Sequence, residues 1–276
     1  MDMLKAVALG ALQGATEFLP VSSSGHLVIF QTIFGLESPE VFFDVCLHLG
    51  TLAAVVFFFR KDLWGMAASF FTLLWLAARK KTPLSKIWED EKARMALLVA
   101  LGSVPTAAIG LLLNPVVERL FSSIFIAGAM LAVTGCLLWF SGKVDGKTPR
   151  RRELSVKDAL VMGVVQGLAI VPGISRSGST IAAGLFLGLD GEKAARYSFL
   201  LSVPAVIGAG ILSAGSFGPD SAFSVSAVLW GTAAAAGVGY AALAFLMRLV
   251  RRGRLSAFAP YCWLMALASM ALGFSG

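Results

Sequence analysis

Apolar runs fill this chain, and two kinds of break divide them: short Pro/Gly/Ser interruptions and clusters of Lys and Arg. Residues 4–18 read as an apolar helix. It is too short to span comfortably, since a span needs about 20 residues. Pro20 and the serines at 22–24 break it, and residues 24–35 form a second short helix ending near Gly35. Two short apolar helices about a polar break predict a re-entrant hairpin that enters and leaves the membrane on one side. Residues 41–59 predict the first span, closed by Arg60 and Lys61. Residues 63–78 are apolar, but Arg60 and Lys61 precede them and Arg79, Lys80 and Lys81 follow. Both ends favour the cytoplasm, so this stretch predicts an interfacial helix rather than a span. A charged loop at 82–94 leads to spans at 95–114, with Pro105 inside, and 123–141. A basic loop at 143–157 contains Arg150, Arg151 and Arg152. Beyond it the pattern predicts a hairpin at 158–189 and spans at 194–214, 224–247 and 256–274.

The second hairpin repeats the first. Residues 9–29, LGALQGATEFLPVSSSGHLVI, and 162–182, MGVVQGLAIVPGISRSGSTIA, align at a constant offset of 153. The offset pairs Gly10 with Gly163, Gln13 with Gln166, Gly14 with Gly167, Ser22 with Ser175, Ser24 with Ser177 and Gly25 with Gly178. Without an insertion at 62–92, each half is one hairpin and three spans. Three is odd, so the halves must run inverted through the membrane. Placing the connections at 60–94, 143–157, 190–196 and 248–254 in the cytoplasm puts 20 of the 23 Lys and Arg there. Lys5 and Arg119 fall outside, and Arg176 sits in the second hairpin. That asymmetry obeys the positive-inside rule and sets both termini outside. The first hairpin then enters from outside and the second from the cytoplasm. Their tips can meet within the membrane, as inverted repeats commonly arrange.

The expected fold class is an all-α polytopic membrane protein with an inverted-topology repeat, each half a re-entrant helix hairpin plus three transmembrane helices. It forms one integral membrane domain over 1–276. Repeat one covers 1–142, with hairpin 4–35 and the interfacial insertion 62–92. Repeat two covers 157–276, with hairpin 158–189.

Composition supports this class. The chain is 57% hydrophobic and 14% charged, against about 25% charged in soluble domains. A net charge of +7 would suggest nucleic acid in a soluble protein. Here it reads as loop lysines and arginines that set topology, and no nucleic-acid partner is expected. Cys46, Cys136 and Cys262 are scattered in apolar segments without C-x-x-C spacing, so they read as core or lipid-facing residues rather than ligands or disulfides. The N-terminus does not read as a signal peptide: Gln13 and Glu17 interrupt its apolar run, and no small-residue cleavage site follows.

The two tips differ where chemistry would sit. The first carries Glu17, Ser23 and His26, where the second has Ile170, Arg176 and Ser179. Gln13 and Glu17 are four apart, hence on one helix face. A carboxylate at membrane depth is expensive, so it marks a functional site. It could hold a divalent cation, take a proton from a hydroxyl, or make a structural bond to a neighbouring helix. Ser22, Ser23, Ser24, Gly25 and His26 head the second helix of that hairpin, where backbone N–H groups attract anions. A hydroxyl there could attack phosphorus, with His26 moving the proton. The plainer alternatives are N-capping, which suits Ser22, and a structural histidine. Pro172, Gly173, Ser175, Arg176, Ser177 and Thr180 form the other tip, also at a helix start. Arg binds phosphate oxygens bidentately and stays charged, so this is the stronger oxyanion signal. Asp44 and His48, four apart on the first predicted span, read as core partners of the first hairpin.

These residues resemble the bacitracin-resistance family of undecaprenyl-diphosphate phosphatases. That family shows (E/Q)xxxE followed by PVSSxGH, and later PGxSRSxxT. The first pattern reads here as Gln13 to Glu17 and then Pro20 through His26, and the second as Pro172 through Thr180. The resemblance covers the whole chain. Gln13 stands at the first acidic position, which the pattern admits and which speaks against any mechanism needing two carboxylates there. The resemblance implies removal of the terminal phosphate from undecaprenyl diphosphate. That recycles the carrier lipid for peptidoglycan and confers bacitracin resistance, with dependence on Mg²⁺ or Ca²⁺. By position it implies Ser23 as nucleophile, Arg176 as phosphate clamp and His26 as acid/base. Glu17, with Gln13, would serve the metal or proton transfer. Ser22, Ser24, Gly25, Gly173, Ser175, Ser177 and Thr180 would line the phosphate. The expected setting is the bacterial inner membrane, with the site open to the outer face. The expected partners are the polyprenyl diphosphate lipid and the bilayer, with a homodimer left open.

Two alternatives accompany this reading. His26 could be the nucleophile, as in the type-2 phosphatidic acid phosphatases, but those carry a further His after their S-R element, and none follows Arg176 here. The chain could instead be a lipid-phosphate transporter or flippase, since broken helices in inverted repeats are typical of transporters.

Overall fold

The computed structural model describes residues 3–33, 41–121, 123–144, 153–213 and 224–275. Gly35 and the loop residues Arg150, Arg151 and Arg152 lie outside the described residues. The first hairpin comprises α1 (Met3–Phe18) and α2 (Ser23–Ile33). There follow α3 (Val41–Phe58), α4 (Arg60–Ala78), α5 (Lys86–Glu89), α6 (Glu91–Phe121) and α7 (Ile124–Val144). The second hairpin is α8 (Val156–Leu168) and α9 (Arg176–Phe186). The chain continues through α10 (Gly191–Ser213) and α11 (Val225–Arg251), then a 3-10 turn and α12 (Ala259–Ser275). No strand occurs among the described residues.

The chain is a multi-pass helical membrane protein by length and composition. Among the described residues, five stretches are long and apolar enough to cross a membrane: Glu91–Val116, Ile124–Val144, Gly191–Leu212, Val225–Arg251 and Leu255–Gly273. The hairpin helices α1, α2, α8 and α9 have 16, 11, 13 and 11 residues and do not reach that length. α3 and α4 make a sixth candidate together, but they are bent by 75°. The bend falls at Phe59, whose φ of −96° and ψ of 18° leave helical geometry. α4 buries only Met66 and exposes Trp64, Phe71 and Trp75.

Boundaries depart from expectation where caps act. The charged loop expected at 82–94 contains α5, and α6 starts at Glu91 rather than 95. Asp90 causes this by accepting the Ala93 N–H at 2.8 Å, which satisfies one orphan donor of the first turn. α8 starts at Val156 rather than 158 because Ser155 and Asp158 form a capping box. α6 also runs on through Pro105 and Pro115 to Phe121, beyond the expected 114. Beside Pro105, the Thr106 hydroxyl reaches Gly163 O of α8 at 2.8 Å, tying α6 to the second hairpin.

Glycine sets the two tightest helix contacts. α1 lies so close to α11 that a Cβ on Gly10 would sit 2.0 Å from Gly231 O. α8 lies as close to α6, where a Cβ on Gly163 would sit 2.1 Å from Gly102 O. Gly10 and Gly163 are paired by the sequence offset, so each hairpin seats its first helix on a long span in the same manner. Phe18 meets Phe199 edge to face at 5.7 Å in the buried core.

Candidate active site

The first tip is built by the chain leaving α1. Pro20 ends the apolar helix, and Ser22 adopts a left-handed φ of 65°. The Ser22 hydroxyl then accepts the Gly25 N–H at 3.2 Å, capping α2. The second tip caps its helix in the same way, but its left-handed residue lies two positions before the capping serine, which is itself extended. Gly173 takes the positive φ of 94°, and the Ser175 hydroxyl accepts the Gly178 N–H at 3.1 Å to cap α9.

The tips touch. A Cβ on Gly25 would sit 3.2 Å from Gly173 Cα, and one on Gly178 would sit 3.1 Å from Pro20 Cβ. The Ser177 hydroxyl reaches Leu19 O at 3.4 Å. Two helix N-termini therefore converge, each carrying a partial positive charge suited to an anion.

Glu17 is the centre of the contact. It is 8% exposed and receives donors on both oxygens. Its Oε2 accepts the Ser23 hydroxyl at 2.6 Å and Gln13 Nε2 at 2.9 Å. Its Oε1 accepts a short charge-assisted bond from Arg176 Nη2, across 159 residues of sequence. The second terminal guanidinium nitrogen, Nη1, is buried without a partner. A buried unsatisfied donor on a cation is costly, and an anionic oxygen would satisfy it. The structure thus brings together Gln13, Glu17, Ser23 and Arg176.

The other expected residues hydrogen-bond outside the cluster of Glu17, Ser23 and Arg176 side chains. His26 Nδ1 lies 2.8 Å from Ser22 O, a carbonyl that can only accept, so Nδ1 carries the proton. In the neutral ring Nε2 is then an acceptor, and it receives the Tyr261 hydroxyl at 2.7 Å. Both ring nitrogens of His26 are therefore engaged away from Ser23. Ser22 pairs with Ser24, and Ser175 with Ser177, each at 3.3 Å. Thr180 donates to Arg176 O at 2.7 Å and also meets Ser198. These hydroxyls hold the tips in shape.

One neighbour was underweighted by the sequence. His48 Nε2 stands 3.7 Å from Glu17 Oε2, with Nδ1 donating to Asp44 O at 2.7 Å. Asp44 in turn accepts Gln31 Nε2 of α2 at 2.7 Å. The offset offered a signal: it pairs His48 with Leu201, so this imidazole, like Glu17, has an apolar counterpart. Tyr261 was not singled out, and nothing near it in sequence points to His26.

The available oxygens bear on a cation. Among the described residues no group of three or more His, Cys, Asp or Glu could hold a metal. The Gln13 side chain is fully buried, with Nε2 on Glu17 and Oε1 lacking a partner. Glu17 and this orphaned oxygen are hard donors that fit Mg²⁺ or Ca²⁺, provided that phosphate and water complete the shell.

Known proteins resemble this chain along nearly its whole length. Residues 6–268 match the family described as bacitracin resistance protein BacA. An undecaprenyl-diphosphatase from Desulfatibacillum aliphaticivorans is 47% identical over 275 residues, covering 99% of this chain and 100% of that protein. Proteins of the same name from Desulforapulum autotrophicum and Desulfosudis oleivorans are 47% and 48% identical, each over 99% of both chains.

Proposed function

The chain belongs to the bacitracin resistance protein BacA family, and we propose that it hydrolyses undecaprenyl diphosphate to undecaprenyl phosphate and inorganic phosphate. The observation that carries the mechanism is the Ser23 hydroxyl held at 2.6 Å on a buried Glu17 whose other oxygen is held by Arg176. Ser23 Oγ attacks the terminal phosphorus in line while Glu17 takes its proton. The bond from that phosphorus to the bridging oxygen breaks, and undecaprenyl phosphate leaves. Water then releases phosphate from the serine ester. Arg176, with its free Nη1, and the two helix N-termini stabilise charge on the equatorial oxygens. His26 serves as acid or base in this scheme only by exchanging Tyr261 for substrate at Nε2. The geometry therefore supports Glu17 more directly as the base. Ser22, Ser24, Gly25, Gly173, Ser175, Ser177 and Thr180 shape the walls. A Mg²⁺ or Ca²⁺ ion held by Glu17 and Gln13 Oε1 would neutralise diphosphate charge.

The same reading extends to topology and role. The two halves form an inverted-topology repeat with both termini outside. The 20 of 23 basic residues on one set of connections support this, as does the matched seating of α1 and α8. α4 lies along the cytoplasmic interface, which its 75° departure from α3 favours. The site opens to the outer face of the bacterial inner membrane. There hydrolysis recycles the carrier lipid for peptidoglycan and lowers the diphosphate pool that bacitracin sequesters. A homodimer is compatible with this arrangement.

The test is phosphate release from undecaprenyl diphosphate by purified protein in detergent, with and without EDTA, beside Arg176→Ala. Release that is lost in the variant and on chelation is expected. No release from well-folded wild type would sink the phosphatase reading and favour a flippase, which needs no hydrolysis.

A further inference from the structure

The second tip is held from outside its own hairpin by a side chain that belongs to neither hairpin motif. Thr134 lies on α7 and is fully buried. Its hydroxyl donates to Gly173 O at 2.8 Å and accepts the Ser175 N–H at 3.0 Å. One oxygen thus bridges both ends of the turn between the break and α9. α7 also backs the turn sterically, since a Cβ on Gly173 would meet Ala127 O at 2.2 Å. The bridged residue Ser175 caps α9 and directly precedes Arg176. A displacement of this turn therefore passes to the guanidinium within one residue.

We propose that Thr134 is a positioning residue for the phosphate clamp, setting where Arg176 meets Glu17 and the terminal phosphate. It acts through the Gly173–Ser175 turn and touches no reacting atom. The activity arm of the proposal rests on the phosphatase reading above. The geometric arm does not, because any phosphate bound by Arg176 would report a displaced clamp. Valine at this position keeps the shape of threonine but leaves the Gly173 carbonyl and the Ser175 N–H buried without partners, so the turn must move to satisfy them. Serine keeps the hydroxyl and loses only a methyl.

The experiment compares Thr134→Val and Thr134→Ser with wild type in detergent, by steady-state kinetics on undecaprenyl diphosphate and by thermal stabilisation with inorganic phosphate. A clamp misplaced by about an ångström costs on the order of 10²-fold in rate. Thr134→Val is expected to lose kcat by about 10- to 100-fold on that basis. Its KM should change far less, because the prenyl tail still binds. Stabilisation by phosphate should fall with kcat, and Thr134→Ser should restore both. Wild-type kcat in folded Thr134→Val overturns the proposal. So does a Thr134→Ser protein as impaired as the valine variant, which would assign the residue to methyl packing. Should Thr134→Val fail to fold, Thr134→Cys against Thr134→Ser decides the matter, since the thiol accepts hydrogen bonds poorly. Equal turnover of that pair overturns the proposal. If wild type releases no phosphate, the phosphatase reading fails separately. The loss of phosphate stabilisation in Thr134→Val then still supports the positioning role.

Discussion

The two hairpin tips share a backbone plan and divide the chemistry between them. Each ends a short helix at a Pro/Gly/Ser break, takes one left-handed residue, and caps the next helix with a serine, Ser22 in one and Ser175 in the other. At three paired positions they part: Glu17 against Ile170, Ser23 against Arg176, and His26 against Ser179. The first tip alone is a buried carboxylate holding a hydroxyl. The second alone is a partly buried cation with a buried, unpartnered donor. Neither is stable chemistry at membrane depth without the other, because an uncompensated buried charge is costly. The repeated motif supplies two similar helix starts, and their differing side chains are complementary.

The largest effect should come from removing the nucleophile on the first tip. Ser23→Ala leaves Glu17 and Arg176 paired, so the fold should persist while single-turnover phosphate release falls by about 10³-fold or more. Near-normal turnover would remove Ser23 from its role. A trapped phosphoenzyme stable to acid and labile to base would mark a serine ester, whereas the reverse would point to His26.

The next test breaks the complementarity itself. Arg176→Met leaves the Glu17 carboxylate buried without its cation and should destabilise the protein by about 3–5 kcal/mol. Adding Glu17→Gln removes the stranded charge and should recover most of that loss in a thermal unfolding assay, with activity still absent. If the double variant is no more stable than Arg176→Met, the pair does not carry the coupling between tips.

Much of this comparison was legible in the sequence, and the reasons are physical. A proline or glycine break in an apolar run is visible because no spanning helix tolerates it without a purpose. The offset of 153 aligned both breaks, and the distribution of Lys and Arg allowed the two tips, with Glu17 on one and Arg176 on the other, to meet. The direction of His26 was not legible, since Tyr261 lies 235 residues away. His48 was visible only as an i, i+4 partner of Asp44, and its approach to Glu17 depends on how α3 packs. The start of α6 was missed because charge density at 86–94 outweighed the capping signal of Asp90.

A smaller effect is expected at His48, which separates site from scaffold on α3. His48→Leu copies its apolar counterpart Leu201 and removes one neighbour of Glu17, while the Ser23 and Arg176 bonds remain. Turnover should fall by no more than about tenfold, since at 3.7 Å the imidazole approaches Glu17 without a direct hydrogen bond. Wild-type turnover would return His48 to the structural role first read for it.

The smallest effect is predicted where the second tip has kept an unused polar group. Ser179 occupies the position of His26, and its hydroxyl is buried without a partner. His26, by contrast, bonds Ser22 O and Tyr261. Removing an unsatisfied buried hydroxyl forfeits no hydrogen bond. Ser179→Ala should therefore leave turnover unchanged and leave stability equal or higher by up to about 1 kcal/mol. His26→Ala removes the partner of the Tyr261 hydroxyl, while Ser22 O keeps the backbone N–H of residue 26, and should lower both the unfolding temperature and turnover. If Ser179→Ala proves as damaging as His26→Ala, the two tips are functionally alike at this position. The division of labour between them would then rest on Glu17, Ser23 and Arg176 alone.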